Sequence, residues 1–289
     1  MSANAIPFEL DCDGLRVAGL RAGKPGGLKV LALHGWLDNA ASFLPLAEHL
    51  PGLDLVMVDL PGHGLSAHLP LTTPYTAPNA IVQTLAIADA LGWQRFVLLG
   101  HSMGAAIASL VAAVAGERVQ GLVSIEALGG LSAPAGETVQ RLRGYVDAML
   151  KLGDKQLRVF PDLAAPVRAR MMVNQLGEAS ARLLIERGVK PVEGGWSWRS
   201  DPRLMLPTAV RMTDEQVCDV VSAIQCPVQV IYATPAQAYF PEPQRSRRAA
   251  LLADGRLHTL PGHHHVHMDQ AAEVAVVIGN FIAGLPDGD

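Results

Sequence analysis

The five residues Gly100-His101-Ser102-Met103-Gly104 lie between the apolar run Arg95-Phe96-Val97-Leu98-Leu99 and the small-residue run Ala105-Ala106-Ile107-Ala108-Ser109-Leu110-Val111. The first run suits a buried strand and the second a helix, so the chain has to reverse in a sharp turn at the serine. A serine held there adopts a strained backbone conformation with its hydroxyl projecting above the sheet. Gly100 and Gly104 leave room for the neighbouring backbone. Ala105, Ala106 and Ala108 let the helix sit close against the sheet. Ser102 is therefore a candidate nucleophile. The competing reading is a turn serine of no chemical consequence, and it gives the flanking strand and helix no role.

The rest of the chain extends this unit. Ile6–Leu10 and Leu15–Leu20 read as an antiparallel pair turning through Asp11-Cys12-Asp13-Gly14, at one edge of a sheet. Leu28–Leu33 is a continuous apolar run suited to a strand covered on both faces. A helix is expected from Ala40 to Leu50, a strand at Leu53–Val58, a helix from Asn79 to Leu91, and a strand at Gly121–Ile125 after the Ser102 unit. This alternation implies parallel strands joined by right-handed helical crossovers. From Leu128 to Pro207 the patterns turn helical, at Glu137–Gly153, Ala164–Gln175 and Glu178–Arg187, with no convincing strand. Alternation then resumes with a helix at Thr213–Ile224, a strand at Val228–Tyr232, a helix near Pro243–Leu252, a strand at Arg256–Leu260 and a last helix from Asp269 to Ala283. Pro286-Asp287-Gly288-Asp289 reads as a loose tail. The expected organisation is an α/β core in two parts, residues 1–127 and 208–289, around a helical cap inserted at 128–207. Such a block would cover the C-terminal strand edge, where open α/β sheets bind ligands. Its alternative is a separate helical domain with no bearing on the site.

Composition narrows the function classes. At 289 residues the chain suits one large domain with an insertion better than two independent domains. A formal charge of −4 offers no basic footprint for nucleic acid or an anionic membrane, so the expected partner is a small molecule. Three cysteines, Cys12, Cys218 and Cys226, are too sparse for a disulfide framework and read as reduced structural thiols. Met1–Glu9 lacks the basic and apolar segments of a secretory leader. No apolar run approaches the roughly 18 residues of a membrane span. A cytoplasmic location is expected.

A serine hydroxyl is a poor nucleophile. It needs a histidine within hydrogen-bond reach, and that histidine needs a carboxylate to orient it. The cluster His263-His264-His265-Val266-His267 follows the last expected strand and supplies the candidates. Four histidines in five positions also suggest a metal site, but adjacent residues seldom turn toward one ion and no second ligand cluster is evident. No metal and no cofactor are expected. His34, His101, Asp59 and His63 read as structural.

Four segments in order, His34-Gly35-Trp36-Leu37-Asp38-Asn39, Asp59-Leu60-Pro61-Gly62-His63-Gly64, Gly100-His101-Ser102-Met103-Gly104 and Gly262-His263-His264, resemble the α/β-hydrolase superfamily along essentially the whole chain. The wording of the first, with Trp196-Ser197-Trp198-Arg199-Ser200-Asp201-Pro202-Arg203-Leu204, resembles the serine hydrolase-like subgroup. The resemblance implies an α/β-hydrolase fold: a mostly parallel sheet flanked by helices, with an inserted helical cap. It makes Ser102 the residue of a nucleophile elbow. Gly-x-His before the final helix makes His264 the base, with His263 and His265 one step of register away. The implied oxyanion-hole donors are the backbone N–H groups of Met103 and Trp36. The implied activity is hydrolysis of a small carboxylic ester or related acyl compound. Thioesters, lactones and carbon–carbon bonds beside a carbonyl use the same machinery, and a catalytically silent ligand binder is the alternative from another class.

One departure from the pattern bears on the acid. Most relatives carry an aspartate after the strand matching Val228–Tyr232. Here the loop reads Ala233-Thr234-Pro235-Ala236-Gln237-Ala238-Tyr239, without a carboxylate. Glu126 is the first candidate, because it follows the strand expected beside that of Ser102 and some haloalkane dehalogenases carry a glutamate there. Glu242 and the absence of any acid are the alternatives.

Overall fold

A computed structural model describes residues 5–154 and 157–286. Strands β1 (Ile6–Cys12) and β2 (Leu15–Gly23) form an antiparallel hairpin. Its two-residue turn, Asp13-Gly14, has positive φ at both positions, matching the right-handed twist of the flanking strands. There follow β3 (Leu28–Leu33), α1 (Leu44–Ala47), β4 (Leu53–Val58), α2 (Ala77–Ala90), β5 (Phe96–His101), α3 (Met103–Ala115) and β6 (Val119–Ile125).

An insertion carries α4 (Thr138–Leu150), β7 (Val159–Phe160), α5 (Ala164–Asn174), α6 (Glu178–Gly188), β8 (Val189–Val192) and β9 (Gly195–Trp198). The chain returns to the sheet with α7 (Asp214–Ser222), β10 (Val228–Thr234), α8 (Glu242–Ala249), β11 (Gly255–Pro261), α9 (Val266–Asp269) and α10 (Ala271–Ile282).

The main sheet runs β1-β2-β4-β3-β5-β6-β10-β11. Its first two pairings are antiparallel and the remaining five parallel. The two-residue period of each strand divides the core between the faces. Leu31 and Leu33 of β3 join Ile107 and Val111 of α3 on one face. Val30 and Ala32 join Ile278 and Phe281 of α10 on the other. Fully buried central strands explain why they read as unbroken apolar runs.

Two expectations need correction. The insertion is not purely helical: β7, β9 and β8 form a three-stranded sheet in that order. Strands of two and four residues are too short for alternation to register in a sequence. The continuous helices expected at 40–50 and 269–283 are each broken. The first is a 3₁₀ turn, Ala40–Phe43, followed by α1, because Pro45 has no N–H to continue the ladder. The second divides into α9 and α10 at Gln270, whose φ of −128° and ψ of 45° are not helical. The tail from residue 287 onward and residues 1–4 lie outside the described residues.

The insertion leaves the sheet after β6, returns before β10, and rests on loops at the C-terminal ends of the strands. Asn39 Nδ2 donates to Leu184 O at 2.8 Å, and Arg187 Nε donates to Asp59 Oδ1 at 2.9 Å. Asp201 accepts from Tyr75 Oη at 2.8 Å and is paired with Arg203, which also donates to the carbonyls of Leu69, Pro70 and Thr73. Among the described residues no helix is long and apolar enough to cross a membrane.

Candidate active site

At Ser102 the chain leaves β5 and enters α3 with φ 51° and ψ −115°. Such a conformation is strained for a residue with a Cβ, by about 1–3 kcal/mol. Hydrogen bonds on both sides hold it: the Ser102 N–H donates to Ile125 O at 2.8 Å, and its carbonyl accepts from Ala106 N at 3.0 Å. The two flanking glycines are dictated by space. A Cβ at Gly104 would run into the Leu33 carbonyl oxygen, and one at Gly100 into the Ala105 backbone.

Three distant segments meet above this turn. His264 lies just past β11, and its Nε2 is 2.9 Å from Ser102 Oγ. Its Nδ1 is 3.0 Å from Oε2 of Glu126. Glu126 follows β6 with φ 60°, its own N–H donating to Ile231 O at 2.9 Å. Its other oxygen, Oε1, accepts from the Ala233 N–H at 2.6 Å. Ala233 opens the loop that carries no carboxylate, so the glutamate of one strand is bonded by the backbone where an aspartate is expected on the next. Glu242 sits in the first turn of α8, accepting from Ser246 Oγ at 3.2 Å. His263 is exposed, and His265 is buried with Nε2 3.1 Å from Asp38 Oδ2. Of the three neighbouring histidines, His264 is the one that reaches Ser102.

Two side chains around this group were not foreseen. Arg245 of α8 is buried, packed against Tyr232 and Phe240 with its guanidinium carbon 4.6 and 5.6 Å from their ring centres. It donates to Glu126 Oε2 at 3.2 Å, to Ala233 O at 2.7 Å and to Phe240 O at 3.0 Å. The helix reads Glu-Pro-Gln-Arg-Ser-Arg-Arg-Ala, a solvated face by composition, and nothing in that pattern marks Arg245 as buried. Tyr239 places its hydroxyl 3.3 Å from His264 Nδ1, and burial pushes the phenol up to about 12.

Met103 and Trp36, the residues expected to supply the oxyanion N–H groups, lie at the start of α3 and just after β3. Met103 is the first residue of α3, where an N–H has no intrahelical acceptor and the helix end carries partial positive charge. Trp36 lies in a turn closed by the Asp38 N–H on Gly35 O at 3.1 Å. That bond leaves the Trp36 N–H out of the turn. Its indole is half exposed and donates to Leu204 O of the insertion at 2.9 Å.

Burial sets the charge state of the histidines. The His264 pKa is lowered by burial, opposed by its hydrogen bond to Glu126. His101 falls to about 4, mainly by burial, although it donates Nε2–H to the His264 carbonyl at 2.8 Å. His34 falls to about 4 and His63 to about 3 for the same reason. His34 accepts from the Leu60 N–H at 3.0 Å and donates to Gly35 O at 2.7 Å, so it acts as a neutral brace between loops. Asp59 likewise binds the N–H groups of Ala40 and Leu65 at 2.8 and 2.7 Å.

The family profile described as the alpha/beta hydrolase fold matches residues 30–199. The chain belongs to this family. Among its α/β-hydrolase relatives, a serine hydrolase-like protein of Dictyostelium discoideum is 31% identical over 277 residues, covering 90% of this chain and 76% of the relative. A hypothetical protein of Pseudomonas aeruginosa PAO1 superposes with a TM-score of 0.90 at 38% identity, over 96% of this chain and 98% of the other. The thioesterase domain from the curacin biosynthetic pathway superposes at 0.82 with 26% identity, over 95% and 98%.

Proposed function

We propose that this α/β-hydrolase is a serine hydrolase that cleaves a small carboxylic ester or related acyl compound through an acyl-enzyme on Ser102. The observation that carries the reading is the hydrogen-bonded series Ser102 Oγ, His264 Nε2, His264 Nδ1, Glu126 Oε2, with contacts of 2.9 and 3.0 Å. In the first half-reaction Ser102 Oγ attacks the substrate carbonyl carbon and its proton passes to His264 Nε2. Glu126 holds the Nδ1–H and stabilises the imidazolium. The N–H groups of Met103 and Trp36 receive the charge developing on the carbonyl oxygen. When the intermediate collapses, the carbon–oxygen bond to the alcohol breaks and His264 returns its proton to the leaving oxygen. Water, deprotonated by the same histidine, then hydrolyses the acyl-serine.

Glu126 is the proposed acid. Its hydrogen bond to His264 supports a hydrolase over a silent ligand binder. The insertion serves as the cap: its Leu204 carbonyl accepts from the indole of Trp36, which ties it to the loop proposed to supply an oxyanion donor. A thioester is the second reading, favoured by the likeness to a thioesterase domain. A fluorophosphonate probe should label wild-type protein at Ser102. Oxygen esters and thioesters of graded acyl length then separate the two readings. Folded protein that takes no label at Ser102 and turns over neither series overturns the proposal.

A further inference from the structure

Behind the Ser102–His264 pair, three buried side chains from separate segments bring donor atoms together. They are Asp38 after β3, His101 at the end of β5 and His265 before α9, with one ligand atom from each, all within 4.8 Å of one another. We propose that Asp38 Oδ2, His101 Nδ1 and His265 Nε2 form a binding site for a first-row transition ion, suited to Zn²⁺, whose occupancy restrains the Ser102–His264 pair.

His101 Nε2 faces the His264 carbonyl, which can only accept, so Nε2 carries the proton and Nδ1 of the neutral ring carries a lone pair. That lone pair is buried without a hydrogen-bond partner, 3.5 Å from the Asp38 carboxylate. Two acceptors facing each other in a dry interior are unfavourable unless a proton or a cation lies between them. A metal-bound imidazole typically donates its other N–H to a backbone carbonyl, which fixes tautomer and ring orientation. His101 already has that arrangement.

The surroundings fit an ion. His265 Nε2 is 3.1 Å from the same Asp38 oxygen. Ligands of a tetrahedral ion at about 2.1 Å stand about 3.4 Å apart, close to both separations from Asp38, while the two imidazole nitrogens, with all three donor atoms within 4.8 Å of one another, have to draw together onto the ion. Gly35 keeps the corner open: a Cβ there would lie 2.9 Å from both Asp38 Oδ2 and His101 Nδ1. His265 now donates Nε2–H to Asp38. To bind an ion, that proton moves to Nδ1, itself buried and unpartnered among the described residues, and the ring stays neutral. Arg170 pairs with the other Asp38 oxygen, so Oδ2 is shared by the two histidines alone among these groups, but the guanidinium adds positive charge nearby. The site therefore suits an exchangeable ion rather than one held permanently.

Each histidine of the site is covalently next to one member of the reacting pair. Drawing the three donors onto one ion pulls on the backbone of Ser102 and His264, so occupancy should inhibit turnover. Binding is measured directly and stands apart from the hydrolase reading. Chelator-stripped protein of this sequence, titrated with ZnCl₂ in a calorimeter, should take up one Zn²⁺ per chain. His265→Gln keeps an N–H for Asp38 but removes the imidazole lone pair, and should weaken binding at least about tenfold. If His265→Gln fails to fold, Asp38→Asn, whose amide can donate to His101 Nδ1, carries the same expectation. No saturable Zn²⁺ binding by wild type, or unchanged affinity in the folded variant, overturns the proposal. So does binding that survives His265→Gln and is lost in His264→Ala, because the ion would then sit on the base itself.

Discussion

Replacing Glu126 by glutamine would leave the shape of the site intact and its hydrogen-bond pattern unsatisfiable. The carboxylate accepts from three donors: Ala233 N–H at 2.6 Å on one oxygen, and Arg245 at 3.2 Å with His264 Nδ1 at 3.0 Å on the other. Glutamine brings one acceptor and one NH₂. If the NH₂ faces Ala233, two donors meet at close range. If it faces Arg245 and His264, the imidazole is driven to the tautomer with its proton on Nε2, directed at Ser102 Oγ, and can no longer accept the serine proton. In the second orientation, which keeps the short Ala233 hydrogen bond, kcat should fall by up to about 10⁴, about 5.5 kcal/mol of transition-state stabilisation. Arg245 would also lose its buried counter-charge. With one acceptor kept, the penalty falls near the lower end for a broken buried pair, about 3 kcal/mol, or a drop in Tm of about 5 °C. The assay is steady-state hydrolysis of p-nitrophenyl acetate, with thermal unfolding on the same preparations. Arg245→Met separates the two effects: it should lower Tm while sparing more of kcat than Glu126→Gln does. Near-normal kcat in Glu126→Gln together with loss of turnover in Glu242→Gln would refute the reasoning and move the acid to α8.

Ser102→Ala should lower turnover by about four to six orders of magnitude if chemistry limits the rate, with unfolding unchanged, as followed by the same ester assay and circular dichroism. His264→Ala should be similarly impaired, whereas His263→Ala, on an exposed side chain, should retain near-wild-type kcat/KM. The base must be neutral, and burial lowers the His264 pKa. A pH profile of kcat/KM should therefore fall on the acid side with its midpoint below the ordinary histidine value of about 6.5. Stability should fall with acid as well. His34 and His101 are held at about 4 and His63 at about 3, so between these values and about 6.5 the unfolded chain binds more protons. The urea midpoint should be steady above about pH 6.5 and decline toward pH 4, and an unchanged midpoint would contradict neutral burial.

What could be read from the sequence was what depends on near neighbours. The Ser102 turn announces itself through glycines and small residues within a few positions. Glu126 could be placed because it follows directly on a strand whose neighbour in the sheet was already inferred. Arg245 could not be placed. Its burial depends on Glu126, 119 positions away, and on two aromatic rings outside its helix, so its own segment reads as solvated. The grouping of Asp38 with His265 spans 227 positions, and no local pattern foretells it. The short strands β7, β8 and β9 escaped for another reason. Phe160 and Val189 are buried, but strands of two and four residues end before an alternation can repeat, so they leave no periodic trace.

The steric frame of Ser102 has a consequence for comparing such chains. Gly104 is required by the Leu33 carbonyl and Gly100 by the first turn of α3, and neither requirement involves the hydroxyl between them. A relative that had exchanged its serine for another residue, and with it any hydrolytic chemistry, would still be held to both glycines by backbone packing alone. The glycine frame therefore diagnoses the architecture, and the residue it encloses has to be examined separately before activity is assigned to any member.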